Sequence, residues 1–305
     1  MTDLFGNPVE DRSRYNPTER ATMNGKPVHN VPAKSIINFA SAFEHKKLCD
    51  GLTFSTGSAC AYSCSFCYVP DLMRKSPHVS GLSQPFEQTV IRRKGAIEAM
   101  RSQLVDRHGK PKFKAEDDRR VIYASPLVDV AANMDLVEET AEACKLIFNL
   151  TNWHIRLLSK SNLFPKLVEK LVNCGHEVRV RERIIFGVST GTLDDGIAKA
   201  IEVGTPLVSK RIASLHWLQD NGYRTFGMVC PSLPQYDYGQ FARNMAEALR
   251  YDRCEHVWAE VINARGESFM RTKLALSGAG YHREAAAFSE VSRTPEAWER
   301  YARDT

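Results

Sequence analysis

Six short runs of β-branched and apolar residues constrain this chain more than any other feature, because stretches of helical period separate them. The runs are LTFS from Leu52, VIYA from Val121, HIRLLS from His154, IIFGVST from Ile184, RTFGMVC from Arg224 and HVWAEVI from His256. From the second onward they begin 30 to 40 residues apart, the length of one strand, one crossover helix and their loops. Strands joined through helices cannot pair as tight hairpins, so the pattern predicts parallel β/α units. The first gap is much longer and carries three cysteines.

The segments between the runs support this reading. In DLVEETAEACKLIFN, Val137, Thr140, Cys144, Ile147 and Phe148 recur every three or four residues, which predicts a helix with Cys144 on its buried face. A preceding crossover helix is predicted to start at Ser83 and Pro85, with Phe86, Val90, Ile97, Met100 and Leu104 as its apolar stripe and Gly109 as its end. Residues 1–50 hold Pro8, Pro17, Pro27 and Pro32 with weak periodicity and read as an extended N-terminal arm. Residues 51–265 form the main domain and residues 266–305 a C-terminal helical extension, whose stretch from Tyr281 is assigned to packing.

A chain of 305 residues, 43% hydrophobic and 25% charged, is long enough for a sizeable core. No apolar run approaches the ~20 residues of a membrane span, and the polar N-terminus lacks an export pattern, so a cytoplasmic location is expected. Without an export signal, the eight cysteines read as reduced thiols or metal ligands rather than disulfides. Residues 71–120 hold twelve Lys and Arg against seven Asp and Glu, an excess equal to the net charge of the whole chain, +5. The RRK at 92–94 and RHGKPKFK at 107–114 suit phosphate contacts or, equally, an ordinary solvated face.

The segment FSTGSACAYSCSFCYVP places Cys60, Cys64 and Cys67 in a C-x3-C-x2-C arrangement directly after the first strand. So short a loop can curl three soft thiolates around one iron–sulfur cubane, and the small residues of GSACAY allow close backbone approach. A four-iron cluster ordinarily takes four cysteines, so three leave one iron open to another ligand. The alternatives are a zinc site completed by His78 and three unrelated buried thiols. Cys49, Cys144, Cys174 and Cys254 have no cluster-like spacing and are assigned to packing.

With Phe66 preceding the third cysteine, this signature resembles that of the radical S-adenosylmethionine (radical SAM) superfamily. Over most of residues 51–265 the chain is also similar to the spore photoproduct lyase branch, a DNA repair photolyase-like group. That likeness rests on LLSKSNLF at 157–164, FGVSTGT at 186–192 and IEVGTPLVSKRIASLHWLQDNGYRTFGMVCPSLP at 201–234. The resemblance implies a partial (β/α)6 TIM-like barrel with an N-terminal arm and C-terminal helices. It implies a [4Fe-4S] cluster on Cys60, Cys64 and Cys67, with S-adenosyl-L-methionine chelating the open iron and yielding a 5′-deoxyadenosyl radical. By the same likeness Phe66 lies near the adenine, and Ser125, Lys160 and Ser189 contact the cofactor. Each of these three follows an apolar strand, where β/α barrels bind their ligands. Glu202 and Arg211 match the family pattern too, although a structural ion pair explains them equally well.

The chain departs from that branch in one respect: YASPLVD, after the second strand, has no cysteine to return hydrogen to a product radical. Cys230, at the end of the fifth strand, is the remaining candidate for that role, with a small buried hydrophobe as the alternative. The leading expectation is hydrogen abstraction at a pyrimidine base in DNA or a nucleotide, for repair, modification or isomerisation. A flavodoxin or ferredoxin-type protein would donate the electron. The alternatives are radical chemistry on a peptide or small metabolite, and a non-enzymatic regulator that uses a metal-held loop.

Overall fold

All six apolar runs form strands. The computed structural model describes residues 22–73, 76, 88–264 and 267–305. In chain order the strands are β1 (Thr22–Met23), β2 (Lys26–Pro32), β3 (Ile37–Asn38), β4 (Leu52–Phe54), β5 (Gly57–Ala59), β6 (Val90–Lys94), β7 (Val121–Ala124), β8 (His154–Ser159), β9 (Ile184–Ser189), β10 (Arg224–Ser232) and β11 (Val257–Val261). The helices are α1 (Val69–Met73), α2 (Ala96–Leu104), α3 (Met134–Leu150), α4 (Phe164–Asn173), α5 (Glu177–Arg183), α6 (Asp195–Ile201), α7 (Val208–Asp220), α8 (Tyr238–Leu249), α9 (Ser268–Gly278), α10 (His282–Val291) and α11 (Pro295–Asp304).

The main sheet has the order β11-β10-β9-β8-β7-β4-β3. Its strands β4 and β7 to β11 pair in parallel throughout, and only the edge strand β3 runs antiparallel, against β4. Six parallel strands in sequence order with helices between them make a partial (β/α)6 barrel.

Alternation along each strand splits the apolar residues between two faces. On the outer face Ile122, Ile155, Leu157, Phe186 and Val188 pack with Val137, Cys144, Ile147 and Phe148 of α3 and with Leu167, Leu171, Leu215 and Leu218 of later helices. Truncating a fully buried ring such as Phe186 in that layer costs about 3–5 kcal/mol. On the inner face Ile185, Phe226 and Met228 pack with Leu158, Cys230 and Trp258. The Arg156 guanidinium lies over the rings of Phe226 and Trp258, 5.4 and 5.0 Å from their centroids, and donates to the carbonyls of Lys47 and Leu48. Residues 42–49 are thereby held against the interior.

The structure corrects three expectations. Val90 is not on a crossover helix: it opens strand β6, and only Ala96–Leu104 is helical, while Ser83, Pro85 and Phe86 lie outside the described residues. Residues 26–32, read as part of an extended arm, form a strand that pairs in parallel with β6 in a second sheet of order β1-β2-β6-β5. Cys174 is exposed at the C-terminal cap of α4, so core packing accounts for Cys49, Cys144 and half-buried Cys254 but not for it. No helix among the described residues is long and apolar enough to cross a membrane.

The C-terminal helices α9, α10 and α11 have their own core of Phe269, Leu276, Ala285, Phe288 and Tyr301, which also takes in Ile201, Leu233 and Ile262 from the barrel. Tyr301 accepts from the Ile262 amide and donates to the Ser232 carbonyl, fastening this layer to the ends of β10 and β11.

Candidate active site

Cys60 follows β5, and Cys67 stands two residues before the start of α1. The loop between them is tied to the barrel by its backbone. Cys64 pairs with Glu202 as an isolated antiparallel bridge, the Ser65 amide donates to the Ile201 carbonyl at 2.8 Å, and the Cys67 amide donates to the Cys64 carbonyl at 3.1 Å. Gly204 lets the chain come this close: a Cβ there would stand 3.2 Å from both the Ala61 carbonyl oxygen and the Tyr62 Cα. All three cysteines line one cavity of ≈ 190 Å³, whose other walls include Tyr62, Leu127 and Arg271.

This donor set fits a cluster. Three soft thiols, the ligand type that iron–sulfur clusters take, line one shared cavity. His78, the fourth ligand of the zinc alternative, lies outside the described residues. Burial pushes the Cys60 thiol up to about 12, with Cys67 and Asp129 adding to it. Burial and then the Glu202 carboxylate push Cys64 well above the ordinary thiol value, while Lys160 pulls it back. Cys67 is raised by burial against the Val69 amide and the cations Arg271, Lys160 and Lys26.

Five of the residues singled out in the sequence come together beside this loop. Lys160, just past β8, donates from Nζ to Ser189 Oγ at 2.8 Å and to the Cys230 carbonyl at 2.9 Å. The same ammonium lies 3.2 Å from a Glu202 carboxylate oxygen and 5.0 Å from the centre of the Phe66 ring. Ser189 also donates to the Cys230 carbonyl at 3.1 Å. Ser125 stands in a separate network, donating to Ser55 Oγ at 2.8 Å and accepting from the Val128 amide.

Asp129 was not legible as a site residue, because a carboxylate in the loop after a strand reads as turn chemistry. Its two oxygens accept from Ser159 Oγ and from the Lys160 amide, both at 2.7 Å, which fixes the backbone that carries Lys160. Burial raises its pKa, and those donors together with the Ala131 amide oppose the rise. Glu202 joins the ion pair with Arg211 to the ammonium of Lys160, so the structural pair and the site are one network.

The Cys230 thiol has its own contact. Its Sγ lies 3.9 Å from Glu260 Oε2, and both Glu260 oxygens accept from Lys46 at 3.1 Å. Burial pushes this thiol up to about 11, with Lys160 opposing and Glu260 reinforcing the rise. Tyr68 donates to the Pro126 carbonyl at 2.5 Å nearby.

Among the described residues of the basic stretch, several cations are occupied within the fold. Arg92 is 1% exposed and paired with Glu139, Arg93 donates to the carbonyls of Ser35 and Ser55, and Lys114 donates to those of Phe148, Asn149 and Thr151. Residues 107–114 precede β7 and so lie at the N-terminal ends of the strands, opposite the cysteines.

Solved structures of spore photoproduct lyase share the fold of this chain. A cysteine-to-alanine variant of spore photoproduct lyase with dinucleoside spore photoproduct matches with a TM-score of 0.58 at 11% identity, covering 83% of this chain and 68% of that one. The fold is that of spore photoproduct lyase. A doubly substituted spore photoproduct lyase with bound AdoMet and dinucleoside spore photoproduct matches with a TM-score of 0.52 at 13% identity, covering 74% of this chain and 61% of the lyase. A cysteine-to-serine variant gives 0.50 at 14% identity, and there the chain spans 57% of the lyase's length. No family profile and no curated protein matches the chain.

Proposed function

We propose that this chain is a radical SAM enzyme that abstracts hydrogen from a pyrimidine base in DNA or a nucleotide. One observation carries the reading: three cysteines in C-x3-C-x2-C spacing line a single cavity at the mouth of a β/α barrel, beside Lys160, Ser189 and Phe66. When bound, a [4Fe-4S] cluster with one iron open to S-adenosyl-L-methionine supplies the electron that cleaves the sulfonium to a 5′-deoxyadenosyl radical.

The chain's own residues then have separate tasks. Cys60, Cys64 and Cys67 hold the cluster, and Phe66, Ser125, Lys160 and Ser189 hold the cofactor. Glu202 keeps the Lys160 ammonium in place, since a buried carboxylate between two cations anchors both. The inner face of the barrel, from Tyr123 to Trp258, excludes water from a reactive radical. Cys230 keeps its hydrogen at neutral pH and can return it to a product radical. A flavodoxin or ferredoxin-type protein delivers the electron.

The substrate class rests on the lyase structures, whose ligand is a dinucleoside spore photoproduct. The test is to reconstitute the chain anaerobically with iron and sulfide, reduce it, and supply DNA with deuterated thymine. Deuterium in 5′-deoxyadenosine supports the reading. A preparation that takes up zinc in place of iron and sulfide refutes it.

A further inference from the structure

The cysteine loop is gripped by cations from outside the six-stranded barrel. Arg271, near the start of α9, donates from Nη2 to the Cys67 carbonyl at 2.9 Å, and Thr272 beside it accepts from Ser65 Oγ at 2.9 Å. From the other end of the chain, Lys26 at the start of β2 donates to the Tyr62 carbonyl at 3.2 Å. Arg271 also forms part of the wall of the cavity that the three thiols line.

A neutral amide would suffice to hold a carbonyl. A guanidinium does more, because it brings a charge that no accessible pH removes. Three thiolates give a [4Fe-4S] cluster net negative charge, and one-electron reduction adds another unit. A fixed cation at the cavity wall favours the more negative state, and partial burial leaves that attraction weakly screened. The N-terminal half of α9, which carries Arg271, adds positive partial charge of the same sign.

We propose that Arg271 is a positioning residue that raises the reduction potential of the cluster, so that the C-terminal helices set how readily the site accepts its electron. The inference rests on the radical SAM reading and deepens it. Lys26 acts in the same direction from the opposite side of the loop.

The experiment uses the full chain reconstituted anaerobically with iron and sulfide, with the midpoint potential followed by electron paramagnetic resonance. Arg271→Gln keeps a donor for the Cys67 carbonyl and removes the charge; Arg271→Lys keeps the charge. The expected result is full iron and sulfide in both variants, a midpoint shifted to more negative potential in the glutamine variant, and one near the wild type in the lysine variant. Equal midpoints in all three proteins overturn the proposal, as does equal loss of iron from both variants, which would make Arg271 a packing residue. A wild-type chain that assembles no cluster overturns the radical SAM reading instead, before any variant is compared.

Discussion

Replacing Glu202 by glutamine tests whether the site is built on a buried charge network. The Glu202 side chain is 2% exposed and the Arg211 side chain 0%, with Lys160 against the other carboxylate oxygen. Burial alone would raise the Glu202 pKa, but the charges of Lys160 and Arg211 outweigh it and hold it below the usual 4.5. Glutamine is nearly the same size, so no cavity opens and the loss is electrostatic. Breaking one side of a buried pair costs about 3–5 kcal/mol, because the remaining charge stays buried without its partner. Unfolding entropy of about 2.1 cal/mol/K per residue comes to about 0.6 kcal/mol/K for 305 residues. Glu202→Gln should therefore lower the melting temperature of the metal-free protein by about 5–8 °C in scanning calorimetry near pH 7. Adding Arg211→Met, which removes the stranded charge at similar volume, should recover much of the loss. Because the folded pKa is depressed, the wild-type advantage is full above pH 4.5 and fades as pH falls through the folded value. A drop under about 1.5 °C, or a double variant less stable than Glu202→Gln, would refute the argument.

Three further outcomes are expected. Cys64→Ala should abolish iron and sulfide uptake, assayed colorimetrically, while circular dichroism and solubility stay as in the wild type, because the cysteine lies on a loop at the barrel mouth. Gly191→Ala should destabilise by about 3 kcal/mol or more in urea denaturation, since a Cβ would stand 2.0 Å from the Pro231 carbonyl oxygen and backbone cannot yield as a side chain can. Burial, then Arg156, hold His256 down to about 4 from 6.5, so stability should rise with pH across that window as the unfolded chain gives up its extra proton. The span corresponds to at most about 3 kcal/mol, and about half of that once the ring's partial exposure is allowed for. His256→Phe should flatten the slope in pH-dependent melts.

The barrel was legible because its strands carry concentrated β-branched and apolar residues, as in VIYA and IIFGVST, and no other element explains such runs. The second sheet was not. Strand β5 is the tripeptide Gly57–Ala59, and β6 reads VIRRK, whose buried Arg92 imitates a surface residue until Glu139 of α3 is seen to meet it. Val90 also falls in helical register with Ile97 and Met100, which blurred the boundary between strand and helix. In the candidate site, spacing singled out the three cysteines that share the cavity, and the family resemblance singled out Lys160 and Ser189, which the structure brings together. Asp129 and Arg271 act through backbone groups far along the chain, and such contacts leave no local pattern. Composition likewise records the charge of residues 107–114 but not that they precede β7, at the N-terminal ends of the strands.

The bond between Arg271 and Cys67 spans 204 residues. During synthesis, then, the cysteine loop emerges long before the wall that completes it, and stays open on that side until α9 has left the ribosome. If the loop takes a cluster as proposed above, a donor meeting the nascent protein would find easy access, and α9 would close that side last.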